Sequence, residues 1–371
     1  MRRYEIDWIR NISILMLFVY HTSAIFCHFG DFYVVSEQKN LFADLLILLL
    51  FTWYMPMLFF LAGASTHFSL ERRNLKEYVI ERIIKLFIPL VCGILILVPP
   101  QTYLARVWRG EVNLNYLQHI KYFFSNVTDF TGFDGGFTPA HLWFILYLFV
   151  VSIVGGTLVF TIFKRDIGKK IIPSIKKIFC NKFSFISLLI LGICTDIFPS
   201  IMGKSILGCL IIFLFGYIVY HDENILDKLI MNRFRFLGGF IIFSLGGVFY
   251  TFLLRPSEIN STVWLIDGLF KNGMLISAIC TIVGFSCIHL NKSNKLLVYL
   301  NRSAFPVYLI HQPILLLLSC IIIPFVKSTT ISMILIIIIS FVITFSIYEF
   351  LNKVKIFNFM LGISSTFPNR P

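Results

Sequence analysis

The stretch 331–351, ISMILIIIISFVITFSIYEFL, decides the fold class. As a helix rising ~1.5 Å per residue it is about 30 Å long, the thickness of a bilayer's hydrocarbon core. Its one charged residue, Glu349, stands four positions before Lys353, a spacing that suits a plain surface pair. Nine further apolar runs of comparable length precede it: 8–29, 41–68, 83–104, 141–163, 183–199, 205–220, 236–254, about 272–289, and 303–325. In the eighth, 264–270 either extends the helix or forms an outer loop. The runs predict an all-α integral membrane protein, a bundle of about ten transmembrane helices.

Composition agrees. The chain is 57% hydrophobic and 14% charged, with a mean hydropathy of +0.84, whereas soluble domains carry roughly 25% charged residues. Its surface cannot face water on all sides, so a lipid bilayer is the expected solvent. A net charge of +13 would suggest nucleic acid in a soluble protein. Here the distribution of that charge is a topology signal, and no nucleic-acid partner is expected. With the amino terminus inside, the inner segments collect Arg2, Arg3, Arg72, Arg73, Lys76, Arg82, Lys85, Lys228, Arg233, Arg235 and the cations of 164–182. The outer segments are poor in them. The positive-inside rule then puts both termini in the cytoplasm, for a multi-pass protein of the cell membrane.

The chain reads as one transmembrane domain, 1–371, with two segments long enough to matter outside the lipid. The outer loop 105–140 contains Gly132, Gly135, Gly136 and Pro139, which permit a shaped cover over the bundle mouth. The basic inner loop 164–182 is amphipathic and suited to the anionic inner leaflet. Arg10 and His21 interrupt the first apolar run and no A-x-A site follows it, so it reads as a retained helix rather than a signal peptide. Eight cysteines without a C-x-x-C suggest neither a zinc site nor a disulfide framework. No bound cofactor or metal is expected. No internal repeat of the kind common in transporters is visible.

Ionisable groups at membrane depth are expensive, which makes each a functional candidate. The first helix holds Asp7, Arg10 and His21. Positions 10, 14, 17 and 21 fall on one helix face, and His21 lies about 16 Å beyond Arg10, near mid-membrane. An arginine near the inner surface could hold a phosphate or carboxylate of an anionic thioester donor. A neutral histidine above it could accept a proton from an attacking hydroxyl. Snorkelling and a structural hydrogen bond explain the same pair equally well. His311 is a second candidate, beside Tyr308 and Pro313. The proline frees the carbonyl of Leu309 and would kink the helix there. His141 and Trp143 open the fourth helix at the outer face, as members of an aromatic belt or as a platform for a sugar ring. Arg82 and Lys85 begin the third helix, where the topology alone would place cations.

These elements resemble the acyltransferase-3 family of membrane acyltransferases. The resemblance rests on Arg3-Tyr4-x-x-Asp7-x-x-Arg10 with Arg10-x10-His21, on Pro56-Met57-Leu58-Phe59-Phe60-Leu61-Ala62-Gly63, and on Arg82 through Pro89. It continues through His141-Leu142-Trp143-Phe144 to Tyr308-x-x-His311-x-Pro313, and so covers essentially the whole chain. Val98-Pro99-Pro100-Gln101 together with the HLWF box is most similar to a branch that succinylates periplasmic glucans. The chain departs from the family where Glu349 is followed by Phe350-Leu351-Asn352-Lys353 rather than by a proline and basic residues.

The resemblance implies an acyl-CoA co-substrate, acetyl-CoA or succinyl-CoA, entering from the cytoplasm, and a hydroxyl acceptor on a cell-surface or periplasmic glycan. It makes His21, with His311, catalytic. Arg10, Arg82 and Lys85 would bind the donor, His141 and Trp143 the acceptor, and Asp7 and Tyr308 would position them. A transporter exporting a glycan or a small acyl compound is the alternative.

Overall fold

The structure, a computed structural model, describes residues 2–111, 115–128, 130–163, 173–174, 176–177, 184–198, 200, 203–256, 258 and 260–362. Among these residues the chain is helical throughout, without strands. Eight helical stretches are long and apolar enough to cross a membrane: Tyr4–Phe26, Leu41–Arg72, Leu75–Trp108, Ala140–Ile162, Arg233–Leu254, Ser261–His289, Lys295–Ile322 and Thr329–Leu351. A ninth is formed if Ile206–His221 and Glu223–Met231, bent by 97°, are taken as one span. The expected run 183–199 folds as a short apolar helix, Ser184–Thr195. The expected run at 272–289 is a single helix from Ser261, so 264–270 extends it and forms no outer loop.

The helices are α1 (Tyr4–Phe26), α2 (Leu41–Phe51), α3 (Tyr54–Arg72), α4 (Leu75–Arg82), α5 (Ile88–Ile96), α6 (Val98–Trp108), α7 (Tyr116–Ser125), α8 (Trp143–Leu158) and α9 (Ser184–Thr195). They continue as α10 (Ile206–His221), α11 (Glu223–Met231), α12 (Arg233–Phe249), α13 (Ser261–His289), α14 (Lys295–Ile322), α15 (Thr329–Leu351) and α16 (Lys355–Met360). Contacts divide the chain into two compact units, each assembled from several stretches.

The first unit comprises Met1–Ser13, Leu48–Glu81 and Tyr147–Asn294. Its tightest junction is α3 against α10. A Cβ on Gly63 would stand 1.8 Å from the Phe213 carbonyl oxygen, and one on Gly216 would stand 1.9 Å from that of Phe60. Only glycine lets two backbones meet so closely, which is the small-residue packing that membrane helices use in place of hydrophobic drive. Gly63 of the PMLFFLAG box is thus a packing residue. Tyr78 is fully buried beside this junction, its hydroxyl 3.0 Å from Thr66 Oγ1 and donating to the Ser152 carbonyl at 3.1 Å.

Asp267 pairs with Arg255 at 3.0 Å, and Lys271 with Asp196 at 2.7 Å, although Asp267 and Lys271 stand four residues apart on one helix. Arg255 meets both carboxylate oxygens, a geometry that a lysine four residues along the same helix cannot offer. The basic segment 164–182 lies largely outside the described residues; within it Lys176 is paired with Asp222 at 2.9 Å.

The second unit comprises Ile14–Ile47, Arg82–Leu146 and Lys295–Pro371. Here α14 packs on α15 and on α6. Prolines shape this unit. Pro89 removes the N–H that would bond the Lys85 carbonyl, and the preceding turn, Ile83–Phe87, widens to a π-helix. Gly362, at φ +65°, approaches there closely: a Cβ would meet Pro89 Cγ at 3.0 Å. In the segment 105–140 Arg106 is the hub. It holds Glu111, lies over the Tyr122 ring at 4.4 Å, and faces His119 Nδ1 at 3.4 Å.

Candidate active site

Within the second unit the stripe on α1 is packed. Ile14 and Leu17 are 7% and 1% exposed, so the face that carries His21 is packed and does not look onto lipid. His21 itself is half-buried, with its ring stacked on Phe32 at a centroid distance of 5.6 Å. His311 from α14 lies 5.3 Å from the His21 ring, and His141 lies 5.3 Å from that of His311. Three imidazoles from regions far apart in sequence therefore form one cluster, with His311 in the middle. Phe18, one turn before His21, closes its floor at 5.5 Å from His311.

The hydrogen bonds fix how the rings are used. Pro313 has no N–H, so the Leu309 carbonyl loses its helical donor. His141 Nε2 fills that place at 3.0 Å. A carbonyl only accepts, so this nitrogen carries the hydrogen and Nδ1 of His141 is the bare one. Tyr308 returns the clasp, its hydroxyl donating to the His141 carbonyl. His311 Nδ1 donates to the Tyr308 carbonyl at 2.6 Å, which leaves His311 Nε2 as the bare, basic nitrogen. Among the described residues neither of these bare nitrogens has a hydrogen-bond partner, and neither does the buried Nδ1 of His21. Helix α14 nonetheless runs unbroken through Pro306 and Pro313. The carbonyl that Pro313 frees is satisfied by the side chain of His141.

The turn that presents His141 is held under strain. Ala140 adopts φ +48°, a left-handed conformation costly for any residue with a Cβ, and its N–H is held by Thr138 Oγ1 at 2.9 Å. Leu142 then packs into the notch at Gly93, where a Cβ would come within 2.5 Å of its Cδ1.

The other expected site residues fall as follows. His141 is 5% exposed. It is a member of the cluster's frame and not of a surface belt, because its Nε2–H is committed to Leu309. Trp143 is half-buried, with Phe144 beside it at 6.3 Å. Tyr308 is buried between His141 at 5.7 Å and His311 at 5.9 Å. Arg82 stands just before the π turn and Lys85 within it; Arg82 is about 16 Å along the helix from Gly93 and the level of Leu142. In the first unit, Asp7 binds Arg10 at 2.6 Å and Arg2 at 2.8 Å, so one carboxylate holds the guanidinium of the motif in place. Among the described residues no group of three His, Cys, Asp or Glu side chains is arranged to hold a metal ion.

Sequence reasoning missed Phe18, Phe32 and Phe144, whose ring lies 5.8 Å from Tyr308. Phe144 stands inside the HLWF box and Phe18 one turn from His21, so both carried a positional signal. Phe32 lies in an irregular connection and carried none.

Residues 3–349 match the acyltransferase domain family Acyl_transf_3. The chain is 24% identical over 353 residues to glucans biosynthesis protein C of Escherichia coli O1:K1, covering 88% of this chain and 86% of that protein. It is 23% identical over 360 residues to the protein of the same name from Escherichia coli strain K12, with the same coverage. No solved structure matches. The family match spans both units and every element of the imidazole cluster, and the chain is a multi-pass membrane acyltransferase belonging to this family.

Proposed function

We infer that this enzyme is an O-acyltransferase of the cytoplasmic membrane that moves an acetyl or succinyl group from cytoplasmic acyl-CoA to a hydroxyl of an extracytoplasmic glycan. One domain of about ten spans with both termini inside would carry the reaction. The observation that carries the reading is a pair of imidazoles 5.3 Å apart in a packed interior, His311 with its Nε2 bare and His21 with no hydrogen bond at its buried Nδ1. A neutral imidazole so placed accepts a proton without a structural bond to give up first.

In the reaction, His21 takes the proton as the acceptor oxygen forms its bond to the thioester carbonyl. The C–S bond breaks, and the coenzyme thiolate leaves with a proton returned from the imidazolium. His311, its tautomer fixed by the Tyr308 carbonyl, shares the proton with His21. Arg82 and Lys85 would bind the anionic donor, Arg82 about 16 Å along its helix from the level of Leu142, within reach of a pantetheine arm; Arg10, held by Asp7, would be a further donor-binding residue. Trp143 would meet the acceptor, while His141 and Tyr308 keep the cluster aligned. The names of the relatives favour a glucan acceptor, and membership of an acyltransferase family favours an enzyme over a transporter.

The test uses vesicles containing the full chain, radiolabelled acyl-CoA outside the cytoplasmic face and linear glucose oligosaccharides on the other side. Label should move into the oligosaccharide with release of one free thiol per ester. Passage of oligosaccharide or acyl compound without thioester consumption would overturn the reading.

A further inference from the structure

The second unit contains a cavity of about 370 Å³ that the imidazole cluster does not use. It opens at the carboxy-terminal end of α1, where Phe26 forms part of its base. Phe26 is five residues beyond His21, about 7–8 Å along the helix. Its walls come from the connection after α1, the end of α6 and the turn between α14 and α15, which supply Glu37, Gln38, Trp108, Lys327, Thr329 and Ser332.

These walls are built rather than incidental. Trp108 Nε1 donates to the Val35 carbonyl at 2.9 Å, which fixes the indole as one side. Asn40 Nδ2 donates to Thr329 Oγ1 at 2.9 Å, tying the connection after α1 to the first turn of α15. Ser332 Oγ donates to the Val326 carbonyl at 3.1 Å, and the Ser36 N–H bonds the Ile25 carbonyl at 2.9 Å. Inside this frame Glu37, Gln38 and Lys327 are exposed.

We propose that this cavity is a subsite for sugar units flanking the one that reacts, so that the acceptor is recognised as an oligosaccharide. The chemistry singles out that occupant. A carboxylate, a primary amide, an ammonium group and hydroxyls mix donors and acceptors around one fixed indole, which suits rings that are apolar on their faces and hydroxylated at their edges. A purely anionic ligand would meet Glu37 unfavourably. The volume lies within the roughly 300–1,000 Å³ of small-ligand sites. Its distance from His21 leaves room for the reacting sugar below it. The inference rests on the acyltransferase reading for its place in a reaction, but its binding claim is separable.

The probes are glucose and linear glucose oligosaccharides of two to four units, with the full chain in lipid nanodiscs. Binding is read by saturation-transfer NMR, and transfer by thiol release from acetyl-CoA and succinyl-CoA. Wild type should bind the longer oligosaccharides at least tenfold more tightly than glucose. The triple variant Glu37→Ala, Gln38→Ala, Lys327→Ala changes exposed positions only. It should lose about tenfold of that advantage and raise the oligosaccharide KM by the same factor, with kcat within twofold. Trp108→Leu should do the same through loss of the ring. Oligosaccharides that bind no better than glucose, or a triple variant that binds as wild type does, would overturn the subsite. Acylation of the oligosaccharides with an unaltered KM in the triple variant sinks the subsite and leaves the reaction standing. Length-dependent binding by a protein that transfers no acyl group sinks the reaction and leaves the subsite standing.

Discussion

Replacing His141 tests whether the cluster is framed by the proline-freed carbonyl. In His141→Ala the Leu309 carbonyl, already without its helical donor because of Pro313, also loses Nε2 at 3.0 Å. A buried acceptor left unpaired costs about 1–3 kcal/mol, and emptying the volume of a buried ring adds a cavity cost, so the total is about 3–5 kcal/mol. His141→Gln places a side-chain N–H where Nε2 was and nearly fills the space. Its cost should be about 1 kcal/mol, because the carbonyl stays paired. The rates should follow the geometry. Loss of the clasp lets Tyr308 and His311 shift, and a displacement near 1 Å costs roughly a hundredfold. The assays are thermal unfolding in nanodiscs and acyl transfer from acyl-CoA. The Ala variant should unfold many degrees lower and transfer about a hundredfold more slowly; the Gln variant should stay within tenfold of wild type. If the Ala variant were as stable as wild type, or the Gln variant as inactive as one lacking His21, the framing role would be refuted.

Two further outcomes follow from the packing and from the segment 105–140. Gly63→Ala should cost more than the usual 1–3 kcal/mol of overpacking, because the new Cβ would press on the Phe213 carbonyl rather than on a side chain that can swing away; unchanged thermal stability would refute the close approach of α3 and α10. His119, buried within the loop 105–140, is held below the ordinary imidazole value by that burial, opposed by its bond to the Pro99 carbonyl and helped by the Arg106 guanidinium. The loop is therefore fully stable above pH ~6.5 and loses stability as the pH falls through and below that value. Hydrogen exchange of 116–125, corrected for its intrinsic rate, should quicken from pH 7.5 to 5, and pH-independent protection would contradict the assignment.

Much of this was legible in the sequence where a residue type is expensive. Arg10, His21 and His311 drew attention because each is costly in lipid, and His21 and His311 do lie side by side. Pro313 announced an unpaired Leu309 carbonyl, since a missing N–H is a local fact. Which donor would fill it was not legible: His141 is 168 positions away, and nothing in its own neighbourhood points to α14. Phe32 escaped for the same reason, its contact being made by an irregular segment without periodicity. The span count was less readable than the spans themselves. A run such as 183–199 is apolar enough to suggest a crossing, while among the described residues its helix extends over Ser184–Thr195. The 97° bend after His221 follows from Asp222, whose side chain caps the next helix by accepting the Asn224 N–H. Ion pairs are not legible from spacing alone: Asp267 and Lys271 stand four apart on one helix, yet Asp267 is taken by Arg255.

The central claim is that the unpartnered His21 imidazole removes the acceptor's proton. The most direct measurement is mass spectrometry of surface glycans from cells making His21→Ala in place of the wild-type chain, with the membrane abundance of both proteins measured alongside. The account predicts equal abundance with acyl groups missing from the glycan. Normal acylation by the His21→Ala protein would contradict it.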